Sequence, residues 1–249
     1  MFLYYFIVLY FILSPQFFHV REIYASDLYY LLFIIYYMST IEDIELMFSN
    51  IYTNDLWNMG QNESKSGLGS TINYAKNISK KIVDFIKEKQ INNLLDTSCG
   101  DWNWMKYIKN DLCNYTGIDI VKHIIDNNNK LYSTDNIKFI HSDFLTFIKN
   151  QPDQSIDLIL CRHTLEHLPT EYNITFFKEC KRVCKYLFVT GYNEYDKCNI
   201  ELKGIYRAIN LKSTPYYEIL NPFYDSEFYD GPSDIFLKEM IMNIYNFTR

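Results

Sequence analysis

The sequence predicts an α/β domain built on a mostly parallel sheet with helices on both faces. Three observations carry that expectation. From Ser70 onward, short apolar runs alternate with segments of helical periodicity, the order that produces strand–helix–strand units. The run SIDLILC, 155–161, is almost continuously apolar between polar flanks, as a central parallel strand buried on both faces must be. Acidic residues close three successive predicted strands, at Asp96, Asp119 and Asp143.

The elements follow in order. Ile78, Ile82, Phe85 and Ile86 fall on one face of ISKKIVDFIKEK and predict a helix. INNLLD, ending at Asp96, is a short buried strand, and the turn SCGD leads into WNWMKYIK, read as a second helix. YTGIDI, 115–120, is the next strand; the helix after it places Val121, Ile124, Ile125 and Leu131 on one side. IKFIHSD gives a third strand and SIDLILC the fourth. The following helix has Ile174, Phe177, Cys180 and Cys184 in register, and YLFVT, 186–190, makes a fifth strand. YYEIL (216–220) and DIFLKEMIM (234–242) are read as two final strands. No internal repeat or low-complexity linker interrupts the run.

Length and charge narrow the function classes. The 249 residues suffice for one sizeable domain with a real core. Lys and Arg number 24 against 30 Asp and Glu, a net charge of −6, so the basic excess that neutralises phosphates is missing and no nucleic-acid partner is expected. Cysteines 99, 113, 161, 180, 184 and 198 form no C-x-x-C pair and fall on predicted strands and helices. That pattern predicts reduced thiols and a cytoplasmic protein rather than a disulfide frame.

The N-terminus reads as a separate piece. Phe2 to Leu13 and Tyr29 to Met38 are apolar runs, each shorter than the roughly 20 residues a membrane-spanning helix needs. From Met38 the sequence MSTIEDIELMFSNIY starts as an ordinary amphipathic helix. The preferred reading divides the chain into an apolar extension, 1–37, and a catalytic domain, 38–249, with Met38 as the natural start. A signal peptide or a membrane anchor in 1–37 are the alternatives, and membrane association is expected only through that stretch. Oligomeric state is not legible in the sequence.

The chemistry-bearing residues cluster at the predicted strand ends. LLDTSCGDWNWM, 94–105, is a strand, a glycine turn and a helix start, where backbone N–H groups can approach a ligand closely. Asp119 lies nineteen residues after Gly100, where a carboxylate can accept hydrogen bonds from both hydroxyls of a ribose. Asp143 can accept from an adenine amino group, and Asp96 can hold an ammonium or a water. Together these acids describe a site for an adenosine carrying a cationic amino-acid tail.

The chain resembles a class I S-adenosylmethionine-dependent methyltransferase, and more narrowly a group of small, mainly bacterial methyltransferases of undefined substrate. The segments that carry the resemblance are WNMGQNESKSGLGS (57–70), LLDTSCGDWNWM, YTGIDIV, DLILCRHTLEHL (157–168), YLFVTGY (186–192) and GIYRAINL (204–211), spanning about residue 47 to the C-terminus. The resemblance implies a seven-stranded, Rossmann-like, mostly parallel sheet and S-adenosyl-L-methionine as cofactor. It implies that Asp96, Gly100 and Asp101 face the methionine moiety, Asp119 and Ile120 the ribose and adenine, and Asp143 with Phe144 the adenine edge. Cys161, Arg162 and His163 would line the reaction centre, with Ser66, Gly67, Gly69 and Ser70 in a lid over the cofactor. Two departures stand out: Ser98 and Trp102 occupy positions that are usually glycine, which tightens the cofactor pocket, and His163 stands where the narrower group commonly has Asp.

The letters H-x-x-E-H at His163, Glu166 and His167 also spell a zinc-peptidase pattern, which requires both imidazoles on one face of one helix. Pro169 directly after makes a multi-turn helix there unfavourable, so no metal is expected. His163 is nominated as general base, with Arg162 beside it. The expected activity is methyl transfer to a small molecule or glycan, with a protein acceptor second. A noncatalytic scaffold with a degenerate pocket and a zinc hydrolase using His163, Glu166 and His167 remain open.

Overall fold

The computed structural model describes residues 40–57, 60, 62–192, 208–231 and 240–248. Expectations that fall on the apolar N-terminal runs, on 204–207 of GIYRAINL and on 234–239 of the last strand lie outside the described residues. The fold described here is that of the unit Met38–Arg249.

Helix α1, Ile41–Thr53, opens with a capping box in which the Thr40 hydroxyl accepts from the Asp43 N–H and the Asp43 carboxylate accepts from the Thr40 N–H. Helix α2, Ile72–Lys89, buries Ile78, Ile82, Phe85 and Ile86, the face read from the sequence. Strands β1 (Asn93–Asp96), β2 (Asn114–Asp119), β3 (Ile137–His141), β4 (Ile156–Cys161) and β5 (Cys184–Tyr192) then alternate with α3 (Lys122–Tyr132), α4 (Phe144–Lys149) and α5 (Thr170–Val183). A short helix α6, Tyr217–Leu220, precedes β6 (Tyr224–Tyr229) and β7 (Met240–Asn246).

The seven strands form one sheet in the order β3-β2-β1-β4-β5-β7-β6. The first five pair in parallel, and β7 runs antiparallel between β5 and β6. Every residue of β4 is buried, which explains its continuous apolar sequence. Phe188 of β5 packs edge-on against Phe85 of α2, with centroids 4.8 Å apart, and welds the sheet to that helix.

Four local expectations are corrected. WNWMKYIK turns left-handed at Trp102 and becomes helical only at Met105, in a 3-10 helix, Met105–Asp111. Leu131 is exposed; Asn128 takes the buried place on α3, because its amide has a backbone partner. On α5 the buried side chains are Asn173, Phe176, Phe177, Cys180 and Val183, Ile174 is only part-buried, and Cys184 already opens β5. YYEIL is the helical turn α6 rather than a strand, and the described part of the last strand begins at Met240.

Candidate functional site

The sheet order reverses between β1 and β4, which sit side by side while the chain proceeds outward on either hand. A cleft opens outside the strand ends at such a point. Here it holds a cavity of about 840 Å³ including its open mouth. Asp96, Asp119, Asp143, Arg162 and His163 reach it from the ends of β1 to β4, and Ser98, Gly100, Ile120 and Phe144 complete that wall.

Asp119 is the best-defined acid. Its Oδ2 accepts from the Gly100 N–H at 3.0 Å and its Oδ1 from the Val121 N–H at 2.9 Å. Burial outweighs those donors and raises its carboxyl to about 6. Asp96 accepts from the Tyr115 hydroxyl at 2.8 Å, and burial raises its carboxyl further, to about 7. Asp143 caps α4, accepting from the Thr146 N–H and hydroxyl, each at 2.7 Å, and from the Tyr172 hydroxyl. Two buried carboxyls whose ionised forms are penalised by burial suit a cationic or hydroxyl-bearing guest that would stabilise those forms.

Gly100 has φ +54°, and a Cβ there would lie 2.3 Å from Ser66 Oγ and 3.0 Å from the Tyr52 hydroxyl. Its carbonyl accepts from the Asn128 amide at 2.7 Å. Both the conformation and the space require glycine. Trp102 adopts φ +56° without being glycine. Its indole is fully buried against Tyr115, Tyr132 and Phe139, so core packing offsets the backbone strain. Trp102 therefore fills the core behind the loop, and of the two replaced glycines only Ser98 narrows the cavity, its hydroxyl paired with that of Thr164.

Asp101 turns away from the cavity. Its carboxylate accepts from the Ser64 hydroxyl at 2.9 Å, the Lys65 N–H at 2.7 Å and the Ser66 hydroxyl at 3.0 Å, while its own N–H donates to Ser66 Oγ at 2.9 Å. It latches the 64–66 segment to the glycine loop, and Ser66, also 2.8 Å from the Tyr52 hydroxyl, forms part of the cavity wall. Gly67, at φ +87°, packs on Trp57 rather than on the cavity. Cys161 ends β4 inside the sheet, buried behind the wall, with its thiol raised by that burial.

After β4 the chain turns sharply at His163, which has φ +54°, a strained conformation for a side-chain-bearing residue. The ring is pinned at both ends: Nδ1 lies 3.4 Å from Glu166 Oε1 and Nε2 lies 3.3 Å from Asp230 Oδ2. Burial and the Arg162 guanidinium oppose its charge, yet hydrogen bonds to Asp230 and Glu166 outweigh both and raise it above 6.5. Arg162 donates through Nε and Nη2 to Asp230, each at 2.9 Å, and through Nη1 to the Gly69 carbonyl at 2.7 Å. The guanidinium also lies over the Trp104 ring, 5.5 Å from its centroid.

His163 and His167 do not share a helical face. The segment Leu165–His167 is a single 3-10 turn, and His167 stacks on Trp57 at 5.7 Å. Among the described residues no group of three or more His, Cys, Asp or Glu side chains is placed to hold a metal ion.

Several wall residues were missed by sequence reasoning. Ile44, Phe48 and Tyr52 come from α1, and Trp57, Trp104, Leu168 and Tyr172 complete the aromatic side. Their apolar spacing on α1 marks a packed face but not what it packs against. Asp230, the partner of both Arg162 and His163, has no local sequence signal at all.

A methyltransferase-domain family profile matches residues 95–186. No curated protein matches the sequence. The 1,6-didemethyltoxoflavin-N1-methyltransferase of Burkholderia thailandensis superposes with a TM-score of 0.58 at 12% identity, covering 91% of this chain and 92% of that one. Magnesium protoporphyrin IX methyltransferase from Synechocystis PCC 6803 gives 0.56 at 12% identity, over 83% and 96%. The methyltransferase domain of the bacterial CtHen1-CN protein gives 0.53 at 16% identity, over 70% and 100%. The profile match spans β1 to the start of β5, and the seven-stranded sheet extends the likeness beyond it: the chain carries a methyltransferase-domain match and shares the fold of these methyltransferases.

Proposed function

We propose that the protein binds S-adenosyl-L-methionine at the strand ends and transfers its methyl group to a small-molecule or glycan acceptor in the cytoplasm. Asp119 carries the reading. Asp119 lines the cavity, and each of its oxygens accepts one backbone N–H and keeps further acceptor capacity, which two ribose hydroxyls can use. The cavity fits the cofactor on a further count: the buried Asp96 carboxyl lines it, where an ammonium would hold that carboxyl ionised.

The cofactor supplies an electrophilic methyl on a sulfonium. The chain's own residues bind, orient and exclude water. Asp119 and Ile120 hold the ribose and adenine, Asp143 and Phe144 the adenine edge, and Asp96 with the Gly100 loop the methionine end. Asp101 acts on the cofactor indirectly, by latching Ser66 over it, with Gly67 as the hinge beside Trp57. Cys161 backs the wall. Arg162 and His163 face the acceptor side, where bringing acceptor and methyl together in a desolvated pocket supplies most of the rate.

His163 lies between two carboxylates, which favour its protonated form. It can take a proton from an acceptor only after losing its own, so general-base action belongs to pH values above its raised pKa. The small-molecule or glycan assignment is supported by the −6 net charge and by the aromatic side of the cavity, Phe48, Trp57 and Tyr172. Free cysteines throughout the described residues support a reducing compartment. No helix among the described residues is long and apolar enough to cross a membrane.

Titrating the full chain with S-adenosylmethionine, S-adenosylhomocysteine and NAD by calorimetry tests the reading. The expected result is one-site binding of the first two, no binding of NAD, and loss of binding in Asp119→Ala. Folded protein that binds neither sulfur compound, or that carries stoichiometric zinc, would refute it.

A further inference from the structure

Four charged groups meet behind the acceptor side: Arg162 from the end of β4, His163 and Glu166 from the turn after it, and Asp230 from the end of β6. The Asp230 carboxylate is fully buried and the Arg162 side chain 5% exposed, so neither charge can turn to water. With His163 protonated, two cations face two anions, and a buried set balanced in this way is stable only while all four stay charged. Asp230 is the hub. Its carboxylate accepts from Arg162 Nε and Nη2, and lies 3.3 Å from His163 Nε2 and 3.4 Å from the Thr190 hydroxyl. Its backbone belongs to the C-terminal hairpin, where the Asp230 N–H donates to the Met240 carbonyl at 3.0 Å.

The same guanidinium reaches the other way. Arg162 Nη1 donates to the Gly69 carbonyl, and Gly69 sits so close to the imidazole that a Cβ there would lie 3.2 Å from His163 Cδ2. The segment over the cavity, the turn after β4 and the C-terminal hairpin are therefore tied at one point. The charged groups facing His163 are Arg162, Glu166, Asp230 and, beyond Glu166, His167.

We propose that Asp230 is the positioning residue of the acceptor side: it locks Arg162 and His163 together as a cation pair and, through Arg162, fastens the Gly69 segment over the bound cofactor. Asp230 touches no reacting atom. The tie to the cofactor rests on the methyltransferase reading, whereas the charge cluster itself does not.

Nitrogen-15 NMR of the histidine rings, combined with S-adenosylhomocysteine calorimetry, tests both parts. In the wild-type chain at pH 7 both His163 ring nitrogens are expected to be protonated. In Asp230→Asn the His163 midpoint should fall by at least one pH unit and S-adenosylhomocysteine affinity about tenfold. Glu166→Gln, which leaves Arg162 and Gly69 untouched, should lower the midpoint yet change affinity less than twofold.

A wild-type His163 with one bare nitrogen at pH 7 overturns the proposal, even should Asp230→Asn fail to fold. So does a folded Asp230→Asn protein with unchanged midpoint, or with unchanged affinity where the wild type binds. Wild-type protein that binds no S-adenosylhomocysteine refutes the methyltransferase reading and with it the tie to the cofactor, while the ring midpoints still decide whether Asp230 holds the charge cluster.

Discussion

Trp102 stands where its superfamily resemblance predicts glycine and takes a glycine-like φ of +56°. The glycine spacing of the sequence reads as degenerate, yet the backbone path is kept and the indole becomes core. Sequence showed the substitution but not its direction, because whether a bulky residue fills a pocket or a core depends on β2, β3 and α3 around it. Gly100 has no such freedom. Gly100→Ala would place a methyl against Ser66 Oγ in a left-handed conformation that costs about 1–2 kcal/mol. S-adenosylhomocysteine affinity is expected to fall about tenfold in calorimetry. The buried acids yield a second prediction at this scale. At pH 6.5 in the free protein Asp96, at about 7, is mostly protonated and Asp119, at about 6, only in the minority, and a ligand that stabilises their charged forms must expel those protons. Binding at pH 6.5 should therefore release protons, read from calorimetry in buffers of different ionisation enthalpy, and the release should vanish by about pH 8.5.

At the scale of elements, the helical faces and strands whose burial follows a simple period were legible, and those that bend to serve the site were not. The α2 face matches its apolar spacing. On α3 the spacing favoured Leu131, but Asn128 is buried instead because its amide supports the Gly100 carbonyl. Polar residues that brace a loop are invisible to a hydrophobic pattern. The latch between Asp101 and residues 64–66 is of the same kind. Asp101→Asn keeps the shape but weakens charge-assisted hydrogen bonds, each worth about 1.5–3 kcal/mol. S-adenosylhomocysteine should dissociate about tenfold faster in stopped-flow measurements, with the thermal midpoint little changed. Phe188→Ala, in contrast, should cost about 3–5 kcal/mol in urea unfolding, since its ring joins β5 to α2.

At the scale of the whole molecule, alternating strands and helices foretold the parallel sheet, and the acids read at successive strand ends line one cavity. The order beyond β5 was not legible: β7 inserts between β5 and β6 by long-range pairing, and only that insertion brings Asp230 to Arg162. The site also sets how stability responds to pH. Asp96, Asp119 and His163 have folded pKa values above their unfolded ones. Their contribution is full below the unfolded value and is lost as pH rises through the folded one. Glu166 and Asp230, held low by His163 and Arg162 against the cost of burial, lose their contribution only as pH falls below about 4. Urea unfolding of the ligand-free chain should give a higher midpoint at pH 5 than at pH 8, and S-adenosylhomocysteine should narrow that difference.

A crystal structure of the full chain grown with S-adenosylhomocysteine tests the central claim most directly. Both ribose hydroxyls are expected within hydrogen-bond distance of the Asp119 carboxylate, with Ser66 closed over the ligand and the sulfur facing the turn at Arg162 and His163. A ligand bound elsewhere, or an Asp119 carboxylate that touches none of it, would contradict the account.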